Sequence, residues 1–399
     1  MKIYSVNSRK SEKEFLKVPK VLYKNDPIWV CPLDNSIEEK FNPSKNILLK
    51  NGEATRWVLK NEKGELIGRI AAFFNREKAF SDKVSSGGAG YFECINNIDA
   101  SRLLFDTAAQ WLKEKGLKAM DAPINFGEND SNWGLLTEGF THPGFGMPYN
   151  FPYYQQLFEN YGFKLYFKQF SYHLDLNKEF PERFWKIAEW VSKKPDFHFR
   201  HFEWKNYDKY IHDLIEIYDT AWAQFKEDYT PIRYEDMYAT MKQTKPFLDP
   251  EMIWFAYHKD TPISFFIMLP DINQILKHLN GKLNLWNIIR FKYYLTTGSI
   301  DRIRALVAGV VPKYQNSGIE SGIFWQMNEK MVFKPWYNEI ELSWVGDYNP
   351  KMISLYEAVG AEKAKTHHTY RYMLDENVEF TRFMPEMVGR LKGKAEVNG

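Results

Sequence analysis

The sequence predicts an α+β protein of two tandem units, each a mixed sheet flanked by helices, and three observations carry that reading. At 399 residues the chain exceeds what one hydrophobic core usually serves, so two domains are expected. Apolar residues make up 44% and aromatic residues 17%, enough to fill two cores. The chain also repeats itself: with Pro152 set on Pro350, PYYQQLFENYGFKLYFKQFSYHL falls on PKMISLYEAVGAEKAKTHHTYRY without a gap, Gly162 meeting Gly360.

Each copy reads, in order, as strand, helix, hairpin, strand, helix, strand, helix, strand. In the first, Ser11 and Glu14 form a capping-box pattern ahead of Phe15, Val18 and Leu22. A hairpin follows in ATRWVLKNEKGELIGRIAAFFN, turning at Lys63 and Gly64. SSGGAG (85–90) reads as a flexible hairpin connection before the strand GYFECI, after which SRLLFDTAAQWLKEKG is a helix. In the second copy Ile211, Leu214, Ile215 and Tyr218 share a helical face, and EMIWFAYHKDTPISFFIMLPD is a hairpin turning at Lys259 to Pro262. RIRALVAGVV then leads into a second helix. Both copies close with a short helix, a glycine stop and an alternating strand. The boundary falls in LDLNKEFPERF, giving domains 1–176 and 177–385 and a tail 386–399. An insert near 274–300 carries a stripe of Leu279, Leu283, Trp286, Ile289 and Tyr293, expected to be an ordinary packed helix, with an interfacial or lid helix as the alternative.

Composition excludes several classes. A net charge of +2 from 53 basic and 51 acidic side chains gives no reason to expect nucleic acid. Cys31 and Cys94 are too few for a disulfide framework and lack metal-ligand spacing. His198 and His201 face opposite sides of a strand, so no metal site is expected. No window reaches the length of a membrane span, so no membrane partner is expected and the cytoplasm is the expected location.

The segment VVPKYQNSGIESGIFWQM (310–327) takes an apolar strand through a glycine-bearing turn into a helix. A helix start offers unpaired N–H groups and a positive dipole end, so it suits an anion; it also serves as a plain strand-to-helix junction. Residues 197–375 resemble the GNAT superfamily of acyl-CoA N-acyltransferases on two motifs. One is the Q/R-x-x-G-x-G/A turn, present as Gln315, Asn316, Ser317, Gly318, Ile319 and Glu320. The other is V-x-x-x-N…L-Y-x-x-x-G, present as Val345, Asn349, Leu355, Tyr356 and Gly360. The first half resembles the same fold more weakly, keeping LFENYGF but no glycine turn after GYFECI. The resemblance implies two tandem GNAT-like domains, the first retired from cofactor binding. It also implies an acetyl-CoA or other acyl-CoA co-substrate, its diphosphate on residues 315–319 and its pantetheine arm along Val310 and Val311, with Asn349 nearby.

The acceptor implied is an amine-bearing small molecule or peptide. Tyr356 is the implied acid that returns a proton to the thiolate, and Phe158 at the matching place cannot do so. On the strand NEIELSWVGDYN, alternation puts Glu339, Glu341, Ser343 and Val345 on one face, making Glu341 the candidate base, with Asp347 second. Glu320 departs from the motif, since with Ser317 as N-cap it forms a capping box whose carboxylate competes with a diphosphate. A Fem-type aminoacyl or peptidyl transferase and a non-catalytic binding protein therefore stay open. The loop PINFGENDSNWGLLTEGFTHPGFGMPYNFPYY, with Glu128, Asp130, Trp133, His142 and Tyr149, is a candidate acceptor-binding element if it faces the second domain.

Overall fold

The computed structural model describes residues 1–80, 83–126, 134–222, 232–315 and 317–383. In the first copy β1 (Lys2–Ser5), α1 (Arg9–Leu22) and α2 (Asp34–Lys40) precede the hairpin of β2 (Gly52–Lys60) and β3 (Leu66–Asn75). A short α3 (Arg76–Ala79) leads to β4 (Ser86–Cys94), α4 (Ile98–Glu114), β5 (Ala119–Ala122), β6 (Leu135–Glu138), α5 (Tyr154–Tyr161) and β7 (Lys164–Asp175). The connecting helix α6 (Glu182–Ser192) opens the second copy, followed by β8 (Phe197–His201), α7 (Tyr207–Trp222), α8 (Tyr234–Thr244) and the hairpin of β9 (Ile253–His258) and β10 (Thr261–Pro270). Then come α9 (Asn273–Leu276), α10 (Leu285–Thr296), β11 (Arg302–Val310), α11 (Ile319–Met331), β12 (Glu339–Gly346), α12 (Pro350–Ala358) and β13 (Glu362–Met373).

The strands form one sheet in the order β1, β2, β3, β4, β5, β13, β7, β12, β11, β10, β9, β8, with β6 added on β13. The order is a palindrome about the antiparallel pair β13 and β7, which runs from Glu362 opposite His173 to Arg371 opposite Lys164. Each copy therefore lends its last strand to the other: β7 pairs with β12, and β13 pairs with β5. The repeated helix stops explain why both last strands leave at the same angle. Gly162 and Gly360 sit at φ 107 and 90, and in each case the next residue's N–H returns to the carbonyl five residues back, Phe163 to Phe158 and Ala361 to Tyr356.

Apolar side chains fill both faces. On one, α4 and α5 cover the first copy and α6, α11 and α12 the second; on the other, α1 lies over the first and α7 over the second. Three expectations need correction. The cap of α1 is Ser8, bonded reciprocally with Ser11, because Ser11 itself lies inside the first turn and is buried. SSGGAG is no flexible connection: Gly87, Gly88 and Gly90 belong to β4, where Leu112, Phe73 and the Ile124 backbone leave no room for side chains. Val345 lies with Ile340 and Leu342 instead of Glu341, since β12 bulges between Leu342 and Val345 and reverses the alternation.

The exchange makes each sheet depend on the other half. Residues 1–176 expressed alone lack β13 and expose two unpaired edges, so we expect them to aggregate, and co-expression with 177–399 to restore a one-to-one complex. A monomeric 1–176 with a cooperative thermal transition would show that the exchange is dispensable.

Candidate active site

Two features of each copy shape a slot. In the second, β11 pairs in parallel with β12 only from Arg302 opposite Glu339 to Ala305 opposite Leu342, although both strands run on. At the same point β11 bulges: Ile267 opposes Val307 and Met268 opposes Ala305, so Leu306 is the extra residue. Leu306, Val307 and Ala308 are consequently half-exposed, and backbone polar groups past Ala305 face a gap. The first copy has the same build, with β4 and β5 parting after Gly88 and Asp121 and a bulge near Tyr91, whose φ is 49. There, however, the chain fills its own slot. Ile124 N–H donates to Ala89 O at 2.9 Å, and Tyr91 N–H donates to Asn125 Oδ1 at 2.6 Å.

At the end of the second slot, Val310 is buried, its carbonyl 3.5 Å from Gln315 Nε2, while Val311 N–H donates back to Ile263 O. Gly318, at φ 79, is the N-cap of α11, and Ile319 is fully buried beneath it. Asn316 lies outside the described residues, as do Glu128, Asp130 and Trp133. The capping box does not form, because Ser317 Oγ donates to Tyr314 O at 2.5 Å and the helix starts one residue later. Glu320 nevertheless stands in the first turn of α11, where burial raises its pKa and its own backbone N–H partly offsets that. Val191 of α6 also packs against Gly318.

The other expected residues do not converge. Tyr356 is buried in the apolar core with Ile340 and Leu342, its ring 5.5 Å from that of Tyr172, and burial raises its pKa. Glu341 lies on the opposite face of β12, bonded to Lys365 Nζ at 3.3 Å and 3.6 Å from Arg302 Nη1. Asp347 pairs with Arg382 at 2.6 Å, and Asn349 caps α12 by accepting from Met352 N–H.

Glu341 belongs to a buried polar stripe that the sequence reading missed. Arg302 bonds Asp271 through Nε at 2.8 Å; Arg304 Nε donates to Ser343 Oγ at 2.7 Å; Lys365 and His367 continue the stripe on β13. Every second residue of RIR and of KTHHTYR is polar, which is the one signal the sequence held. The roof is the loop singled out above: Gly144 lies over Arg304 and Glu341, Phe145 N–H donates to Asp271, and Pro148 O accepts from His367 Nε2 at 3.1 Å. Arg302 Nη2 donates to His142 Nδ1 at 2.8 Å, leaving His142 Nε2 buried without a partner among the described residues. That histidine lines a polar cleft of about 340 Å³ with Gln274, Lys277, Asp301, Arg302, Asn338 and Glu339. Beside it, Ile300, Pro270, Leu295, Trp336 and Tyr337 line a more apolar cavity of about 330 Å³. Among the described residues no three His, Cys, Asp or Glu are grouped to hold a metal, and no helix is long and apolar enough to cross a membrane.

No family model matches the chain. Protein YghO of Escherichia coli is 28% identical over 90% of this chain and 92% of its own. The bacterial ceramide synthase of Caulobacter vibrioides is 26% identical over 91% of this chain and 94% of its own. Among solved structures, a tandem GNAT protein from the clavulanic acid biosynthesis pathway superposes with a TM-score of 0.55 at 11% identity, covering 94% of this chain and 99% of that one. The glucosamine N-acetyltransferase region of a fungal multi-domain β-N-acetylglucosaminidase gives 0.55 at 10%, covering 93% and 38%.

Burial lowers the pKa of His367 to about 4, against 6.5 for the free side chain. The unfolded chain therefore binds more protons between those values, and stability falls as pH drops from about 6.5 towards 4, by roughly 1 kcal/mol per unit. His142 and His368 are lowered to about 4 as well, so His367→Gln, whose amide can still donate to Pro148 O, should reduce the slope of that part of the pH profile measured by urea melts by about one histidine's share; an unchanged slope refutes the assignment.

Proposed function

Taking as premise that the fold is a tandem GNAT fold, we propose that the chain transfers an acyl group from acyl-CoA to an amine, with the donor bound by the C-terminal half. The observation that carries this is the asymmetry of the two slots, one filled by its own chain and the other with the β12-facing side of β11 left without a strand partner beyond Ala305, while its other side stays on β10. An unpaired strand edge offers N–H and C=O groups to an amide-bearing arm, and Gly318 brings main-chain N–H groups close to a diphosphate. In the reaction the amine nitrogen attacks the thioester carbonyl, the C–N bond forms as the C–S bond breaks, the amine loses a proton and the thiolate gains one. Tyr356 is our candidate for returning that proton. Glu341, already compensated by Lys365 and Arg302, is assigned to holding the polar stripe together in preference to proton abstraction.

For the acceptor we propose an amphipathic long-chain amine. Similarity along nearly the whole chain to a protein named a ceramide synthase supports this, since ceramides are N-acylated long-chain amino alcohols. So does the pairing of cavities: Ile300 and Tyr337 line the apolar one, while their neighbours Asp301 and Asn338 line the polar one, whose Glu339 suits an ammonium group. A second reading, a donor other than coenzyme A, is favoured by the Glu320 carboxylate standing at the start of α11.

Incubation of the protein with palmitoyl-CoA and a long-chain amino alcohol should yield the amide and free thiol in equal amounts by mass spectrometry; neither product, across acyl lengths, would refute the reading. Tyr356→Phe should lower turnover at least tenfold with binding of acyl-CoA retained. By calorimetry, Glu320→Gln should tighten acyl-CoA binding about tenfold or more, and Gly318→Asp should abolish it, because one adds and the other removes compatibility with a diphosphate. Wild-type binding should likewise strengthen as pH falls through the raised Glu320 pKa, a dependence that Glu320→Gln removes.

A further inference from the structure

The insert between β10 and β11 is not the packed helix its stripe suggested. In α10, Asn287, Phe291, Tyr294 and Leu295 face the protein, with Asn287 Nδ2 donating to Leu279 O and Lys282 O. Turned outward are Leu285 (73% exposed), Trp286 (74%), Ile289 (51%) and Tyr293 (62%). At 3.6 residues per turn these four fall within about 100° of one another, with Lys292 on one flank and Arg290 on the other. An apolar stripe between two cations is the arrangement of a helix that lies in a lipid interface.

Charge supports one occupant. No acidic residue occurs between Asp271 and Asp301, a stretch carrying Lys277, Lys282, Arg290 and Lys292. All four cations are exposed, and none has a carboxylate partner among the described residues. The apolar surface also continues past the helix. Leu295 and Gly298 at its C-terminal end share a cavity with Trp336, and Trp336 follows the exposed Val332 and Phe333 in the chain. A second copy of this chain would bring the same four cations against one another, whereas an anionic bilayer neutralises them.

We infer that α10, together with the Val332–Trp336 turn, docks the protein on an anionic lipid surface, with the apolar cavity opening beside the contact. This needs only the exposed helix and its charges and holds whether or not the chain is an acyltransferase.

The full-length protein should co-sediment with vesicles of phosphatidylcholine mixed with phosphatidylglycerol, bind phosphatidylcholine alone weakly, and be released by salt. Trp286→Ser/Ile289→Ser and, separately, Arg290→Gln/Lys292→Gln should each reduce partition by about tenfold or more. Both variants should keep the wild-type thermal transition, since the replaced side chains are exposed. Three results would overturn the inference: no binding to anionic vesicles at low salt, variants that sediment as the wild type does, or a wild-type dimer by light scattering that Trp286→Ser/Ile289→Ser dissolves.

Discussion

The antiparallel contact of β7 with β13 is the constraint on which the rest depends. It lies at the centre of the sheet, and every strand on one side belongs to one copy, every strand on the other to the second, except these two, which have changed places. A sheet assembled in this way has no inner edge at which the halves could part, so relative movement must bend the sheet itself. The buried polar stripe follows from the same exchange. Lys365 of the last strand reaches Glu341 across β7, and His367 holds Pro148 of the first half's loop. Such charges are costly to bury singly, and the arrangement persists because each has a partner.

The exchange also separates structural from binding duties. Both copies carry a bulge and a parting pair of parallel strands, the geometry that opens a sheet without breaking it. In the first copy Ile124 and Asn125 satisfy the liberated backbone groups, and the glycines of β4 are needed because those residues come so close. In the second, on the β12-facing side, the described residues supply Gln315 reaching back to the Val310 carbonyl.

Local patterns were legible where the physics is local. The glycine stops at 162 and 360, the two hairpins and the strand-to-helix turn all follow from short-range rules, and the repeat makes each support the other. Three kinds of feature were not. A bulge shifts register by one residue, and no composition rule marks the one that moved Val345 to the face of Leu342. A helix stripe does not say which side is covered, so α10 read as packed although the amide of Asn287 and the rings of Phe291 and Tyr294 form its inner face. Partners across the exchange, such as Lys365 with Glu341, depend on strand order alone. Tyr356 and Glu341, named above as acid and base, lie on opposite faces of β12, a separation that alternation along the strand sets once Tyr356 packs on the face of Ile340 and Leu342.

Strand β13 ends the described sheet in sequence but lies at its middle in space. During vectorial synthesis β5 leaves the ribosome some 250 residues before the segment that must lie beside it. At roughly 5–20 residues per second that is a delay on the order of tens of seconds, during which the nascent first half carries a bare ladder of main-chain amides. Chain growth, more than helix or hairpin formation, then sets the pace of maturation, and chaperones have a defined interval in which to shield that ladder.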